Sequence, residues 1–240
     1  GLRSFEVNMP EETNRVIIDH ISDYLFAPTK ISKNFLIKEN ISKNKIFLTG
    51  NIIKDSIDTC RNLIKKNNLL KILDIKKKNY FVVTIHRQEN IENQKRLREI
   101  IKSLNIICEK YKKSIIFSVH PKTKKKIKEL NLSINKKINF IDPVNYKDFL
   151  YLLKNSFFVI SDSGGIQEEC CLLKIKLITL RTSTERQETI SIGCNILSNV
   201  EDNKMLKKID YMVKKKPKWT NPYGAGKISK NMYNIIKTLT

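Results

Sequence analysis

Along the chain, short runs of apolar, mostly β-branched or aromatic residues alternate with longer stretches in which apolar positions recur every three to four residues. That alternation belongs to a parallel sheet covered by helices: strands buried on both faces lose their polar positions, while the helices keep one apolar stripe. The apolar runs predict strands at 24–27, 46–49, 81–86, 114–119, 138–141, 157–161, 176–180 and 194–197. Helical spacing predicts helices at 11–22, 91–110, 121–130, 145–155, 164–174, 185–192, 202–213 and 227–239, and residues 51–80 receive no element. From residue 81, six strand–helix units suffice for a complete doubly wound α/β domain. Residues 1–50 offer two strands and two helices, too few to close an independent sheet, and are expected to be the tail of another domain. Gly50-Asn51 falls where a hinge is expected, and the turn cluster NPYGAG at 221–226 leads into the last helix.

Composition changes this picture little. The formal charge is +22, but 38 of the 46 basic residues are Lys and 8 are Arg. Lys, Asn and Ile share A/T-rich codons, so base composition accounts for most of the charge, and the Lys-rich stretches 122–128 and 214–218 are expected to be solvated. Arg is the better partner for phosphate and guanine, so no nucleic acid partner is expected. Five cysteines without a C-x-x-C pair argue against a disulfide framework and for a reducing cytoplasm. No apolar run approaches the roughly 20 residues that span a bilayer, so no membrane partner is expected. The opening Gly1-Leu2-Arg3, without an initiator Met or signal pattern, points to a fragment or a processed product.

Ligands of open α/β sheets bind beyond the carboxyl ends of the strands, where four segments here are unusually polar. These are His86 to Asn90, His120-Pro121, Asp162 to Gly165, and Arg181 with Thr184-Glu185-Arg186. In SDSGGIQEE (161–169), Gly164 and Gly165 would let backbone amides approach a phosphate at a helix N-terminus, with the Ser163 hydroxyl as a further donor. Glu169, one turn later, could accept from a vicinal diol, so the ligand suiting both features is a nucleotide or nucleotide sugar. The plainer alternative is an ordinary turn with Glu168 and Glu169 favouring the helix dipole. His86 and His120 stand at strand ends and read as functional together, whereas His20 reads as structural. Arg186 suits a diphosphate or a plain helix-end charge. Cys170 and Cys171 read as packing, and no metal spacing is present.

Taken in order, TIHRQEN (84–90), HP (120–121), DSGGIQEE (162–169), TERQE (184–188) and NPYG (221–224) resemble the non-hydrolysing UDP-N-acetylglucosamine 2-epimerases, as do GLRS (1–4) and PEETNR (10–15). The resemblance covers the whole chain as the C-terminal two-thirds of that family. It implies a GT-B-like fold: residues 1–50 as the remnant of an N-terminal Rossmann-like domain, 51–225 as the UDP-binding Rossmann-like domain, and 226–240 as a helix crossing back to the first. It implies interconversion of UDP-N-acetylglucosamine and UDP-N-acetylmannosamine for cell-surface polysaccharide precursors, through anti elimination of UDP and its re-addition. No cofactor and no metal are implied, and the full-length protein would be a homodimer.

Carried over by motif, Ser163, Gly164 and Gly165 would hold the diphosphate, Glu169 the ribose and Arg186 a phosphate. His86 would act near the departing UDP, with Arg87 coupling to the activating UDP-sugar site of bacterial members; His120 belongs to the same mouth. Glu11 would be a catalytic carboxylate, with Arg15 close by. Val144, polar in some relatives, would stand on the uracil side with Phe149. Gln187 departs from the Pro common in relatives. The resemblance puts the other catalytic carboxylates upstream of Gly1, so the 240 residues alone are expected to bind UDP without epimerising its sugar. The other readings are a GT-B glycosyltransferase, a hydrolysing epimerase, an inactive UDP-sugar-binding module and a basic RNA-associated protein.

Overall fold

The computed structural model describes residues 1–7, 9–65, 67–200 and 204–239. Two parallel sheets organise them. The first pairs β1 (Leu25–Ala27) with β2 (Ile46–Leu48). The second contains β3 (Tyr80–Thr84), β4 (Ser114–Ser118), β5 (Ile138–Ile141), β6 (Phe158–Ser161), β7 (Leu177–Thr179) and β8 (Asn195–Leu197) in the order β5-β4-β3-β6-β7-β8. The helices are α1 (Pro10–Ile21), α2 (Lys30–Lys38), α3 (Ile53–Lys65), α4 (Leu69–Ile72), α5 (Gln88–Ile91), α6 (Gln94–Tyr111), α7 (Pro121–Glu129), α8 (Tyr146–Asn155), α9 (Gly164–Leu173), α10 (Gln187–Ser191), α11 (Lys204–Lys214) and α12 (Ile228–Leu239).

The large sheet forms because its strands carry apolar residues for both faces. Phe81, Val83, Ile115, Phe117, Phe158 and Ile160 enter the core beneath α6, α7 and α11. Their neighbours Tyr80, Val82, Ile116 and Val159 enter the core beneath α3, α8 and α9. Consecutive strand side chains point to opposite faces, so one unbroken apolar run supplies both layers. Strands and helices fall within a few residues of the expected bounds. The expected helix at 202–213 begins in residues outside the described ones and is seen from Lys204.

Helices α3 and α4 are the departure, since no element was expected in residues 51–80. Ile53, Ile57, Cys60 and Ile64 recur at helical spacing along α3, and Ile57 and Ile64 bury against the α8–α9 face, so the segment carries an amphipathic stripe of its own. The last helix, α12, packs on α3, where the Ser229 amide and hydroxyl both donate to Asp55 (2.7 Å each). No helix among the described residues is long and apolar enough to cross a membrane.

All six strands run parallel, and it is the order of succession that reverses between β3 and β6: β4 and β5 lie on one side, β7 and β8 on the other. A crevice opens at such a point because the connections leave in opposite directions. The register pairs Thr84 with Ser161, so the residues just beyond these two strand ends meet there.

Candidate active site

His86 and Asp162 stand across that crevice. Asp162 is fully buried, and its carboxylate accepts from the backbone amides of His86 (3.1 Å) and Arg87 (3.0 Å) and from Asn90 Nδ2 (2.9 Å). His86 Nδ1 lies 2.9 Å from Asp162 Oδ1. Burial pushes the Asp162 pKa up, but the contact with His86 and the other donors outweigh it and hold it below the ordinary value. The same hydrogen bond raises the His86 pKa above its ordinary value, against burial. His86, Arg87 and Gln88 line a cleft of about 530 Å³ whose other wall carries Met9, Pro10 and Glu11.

The two acids of the PEE segment divide. Glu11 is exposed to the cleft. Glu12 turns inward and accepts from the amides of Ser4 and Phe5, the Ser4 hydroxyl and Arg15. Burial opposes its ionisation, but these donors bring its pKa down to about 2. Arg15 thus pairs with Glu12 rather than with Glu11.

Ser163 is the N-cap of α9, yet its hydroxyl makes no capping bond. Helices α6, α7 and α8 are capped by the side chains of Asn93, His120 and Asn145. The first amides of α9 are therefore left for another acceptor. A Cβ on Gly165 would meet nothing within 4 Å, whereas one on Gly164 would lie 2.7 Å from Glu185 Oε1 and 3.2 Å from Arg186 Nη1. The turn is open on the Gly165 side and closed by Arg186 on the other. Arg186 Nε donates to Glu168 Oε1 (3.0 Å) and its Nη1 pairs with Glu185. Burial disfavours its charge, but Glu168 and Glu185 outweigh this and raise its pKa.

Glu169 is buried in the next turn, and burial lifts its pKa to about 7 despite the Tyr146 hydroxyl beside it. Val144 and Phe149, which flank Tyr146, are half-buried against the core under α8 and α9. His120 is exposed and its Nδ1 accepts from the Lys122 amide (3.3 Å), which caps α7.

Several residues without an assigned role shape the site. Asp162 faces the His86 ring. Glu168 joins Arg186 to Asn51, whose Nδ2 donates to Glu168 Oε1 (2.9 Å). Arg181, fully buried, lies 2.9 Å from Glu185 Oε2 in a geometry that forms no good hydrogen bond. Gln187 Nε2 donates to the Arg3 carbonyl (2.9 Å). An acid directly after the strand FVIS was the sequence signal for Asp162; the other contacts leave none. Among the described residues no cluster of His, Cys, Asp or Glu could hold a metal.

A crystal structure of the Methanocaldococcus jannaschii UDP-GlcNAc 2-epimerase in complex with UDP-GlcNAc and UDP is similar to this chain over 99% of its length and 67% of that chain, with a TM-score of 0.91 and 47% identity. The Neisseria meningitidis enzyme bound to UDP-GlcNAc is similar at TM-score 0.84 and 31% identity, over 99% of this chain and 68% of that one. The wall teichoic acid polymerase TagF, at 15% identity and TM-score 0.61 over 97% of this chain and 63% of that one, shares the fold alone. By architecture the chain is a GT-B-like α/β protein with its crevice at the reversal of the large sheet.

Residues 1–237 match the family model described as UDP-N-acetylglucosamine 2-epimerase, and the chain belongs to that family. A curated relative of that name from Methanococcus maripaludis is 44% identical over 98% of this chain and 66% of its own length. The chain spans about two thirds of the length of the curated relatives it matches.

Proposed function

We propose that the protein takes part in the interconversion of UDP-N-acetylglucosamine and UDP-N-acetylmannosamine. The observation that carries this reading is the uncapped start of α9 with its open Gly165 side, between Arg186 and the buried Glu169, across the crevice from His86. Helix amides and a guanidinium suit a diphosphate, and a buried carboxylate suits the ribose diol. In the reaction, the proton on C2 of the sugar passes to a base, the electron pair of that C–H bond forms a C1=C2 double bond, and the C1–O bond breaks. The bridging oxygen keeps the electron pair and leaves as UDP; re-addition of UDP and return of a proton to the other face of C2 give the epimer. His86, protonated over a wider pH range by Asp162, is suited to donate to the departing diphosphate. Glu11, on the opposite wall, is a carboxylate within the same cleft.

Calorimetry of the chain with UDP is expected to show one site. For the reaction, the chain is assayed alone and joined to the third of the Methanocaldococcus jannaschii relative that it does not match, with UDP-N-acetylglucosamine in deuterated water. NMR of the joined protein is expected to show the manno epimer and deuterium at C2. Absence of UDP binding overturns the site. UDP binding without deuterium in the joined protein leaves a nucleotide-sugar-binding module and removes the epimerase reading.

A further inference from the structure

We infer that Asp162 is a positioning residue for His86: it fixes the imidazole with its proton on Nδ1 and presents Nε2 to the crevice for the diphosphate. The role of Nε2 rests on the function proposed above; the tautomer and orientation do not.

Topology makes the pair. β3 and β6 are neighbours at the reversal of the sheet, with Thr84 opposite Ser161 and their hydroxyls 2.8 Å apart. Two residues beyond Thr84 is His86, and one beyond Ser161 is Asp162. The carboxylate is held on several sides. Its Oδ2 accepts from the amides of His86 and Arg87 and from Asn90 Nδ2, and Asn90 in turn accepts from Arg96 through its Oδ1 (2.9 Å). These donors leave Oδ1, which also lies 3.2 Å from the His86 amide, directed at His86 Nδ1 at 2.9 Å.

A carboxylate held below its ordinary pKa is acceptor only, so the nitrogen facing it must carry a proton. Neutral His86 therefore has Nδ1–H and a free lone pair on Nε2; protonated His86 donates from both. Nε2 has no protein hydrogen bond among the described residues, and the ring is 57% exposed into the cleft. Which nitrogen carries the proton is set by the partner of the other, and a wrong tautomer disables a histidine without moving it.

The other charges around the ring do not replace Asp162. Arg87 and Arg181 oppose protonation of His86. Glu6, Glu11 and Glu89 line the cleft, but none makes a hydrogen bond to the ring.

Nitrogen-15 NMR of the three histidines in the intact 240-residue chain tests the inference. Wild-type His86, assigned by its loss in His86→Gln, is expected as the Nδ1–H tautomer when neutral, with a titration midpoint above 6.5. His120, whose Nδ1 accepts from the Lys122 amide, should be the Nε2–H form and serves as an internal contrast. In Asp162→Asn, the amide can donate to Nδ1, so His86 is expected to switch to Nε2–H and its midpoint to fall. The switched ring keeps a neutral Nε2–H toward the diphosphate but loses the charge, so UDP affinity should fall by about threefold to tenfold where wild-type His86 is protonated, and the difference should close as pH rises through the wild-type midpoint.

A wild-type Nε2–H tautomer, or a midpoint at or below 6.5, overturns the inference and needs no variant, so a poorly folding Asp162→Asn does not shelter it. An unchanged tautomer in folded Asp162→Asn overturns it too. If the tautomer switches and UDP affinity keeps its wild-type pH profile, the diphosphate role of Nε2 is wrong. A chain that binds no UDP but shows the wild-type tautomer and its switch retains the positioning role and loses the proposed function.

Discussion

Glu168 and Glu169 are adjacent and both buried, yet their surroundings give them different work. Burial raises the Glu168 pKa, and Arg186 and Asn51 offset only part of that rise. Glu169 lacks such a cation and rises to about 7. Uridine, which has the diol and no phosphate, is therefore expected to bind more tightly as pH rises through 7 and Glu169 ionises. Glu169→Gln should remove that dependence and cost about 1–3 kcal/mol above pH 7 in an NMR titration. Glu168→Gln should spare uridine and weaken UDP, because it releases Arg186. Equal losses of uridine in both variants contradict the assignment. Stability follows the same titration. The folded chain holds the Glu169 proton more tightly than the unfolded chain, so this contribution is complete below about 4.5 and is lost as pH rises through about 7. Glu169→Gln should flatten that part of the urea-unfolding profile.

At the level of an element, the start of α9 decides what the crevice can accept. Gly164 and Gly165 look interchangeable in the sequence, but only Gly164 lies against Glu185 and Arg186. Gly164→Ala is expected to lower stability by about 1–3 kcal/mol, since a methyl there displaces a paired guanidinium. Gly165→Ala should leave stability unchanged or slightly improved, as removing glycine restricts the unfolded chain. It should nevertheless weaken UDP about tenfold or more, because its methyl occupies the space over the free amides. Thermal melts paired with UDP calorimetry separate the two. A Gly165→Ala chain of wild-type affinity shows that no phosphate approaches this turn.

Across the whole molecule, the Gly50-Asn51 step and the turn at 221–226 are joined to each other and to the site. The Asn51 amide donates to the Tyr223 carbonyl (3.1 Å), and Gly50, at φ +93°, comes so close that a Cβ would lie 2.6 Å from that oxygen. Tyr223 is buried, and its hydroxyl donates to Glu188 Oε1 (2.7 Å). Burial raises the Glu188 pKa against that donor. Tyr223→Phe should cost about 1–3 kcal/mol at neutral and higher pH, where it leaves a buried carboxylate without its partner. The cost should shrink as pH falls through the raised value and Glu188 takes up a proton. Urea unfolding at several pH values checks this, and a cost that grows toward acid refutes the pairing. Leu48 and Ile52, on either side of Gly50-Asn51, are both exposed.

The sheet was legible in the sequence because parallel strands buried on both faces must be apolar throughout, as in FVV at 81–83 and FVI at 158–160. Helices α6 and α8 were legible from their stripes, and the turn that opens α9 from its two glycines. Sequence alone also determined that His86 and Asp162 lie just beyond strand ends, since it determined where the strands end, whereas Arg186 stands at the start of α10. It did not determine which strands are neighbours. The order that places β6 beside β3 makes Asp162 the partner of His86. Folding through residues 51–65 brings Asn51 to Glu168, 117 positions away. Inward rotation of Glu12 leaves Glu11 as the free acid of the pair. Local patterning reports whether a residue is buried; the identity of its partner is a long-range property of strand order and helix packing, and only the tertiary structure decides it.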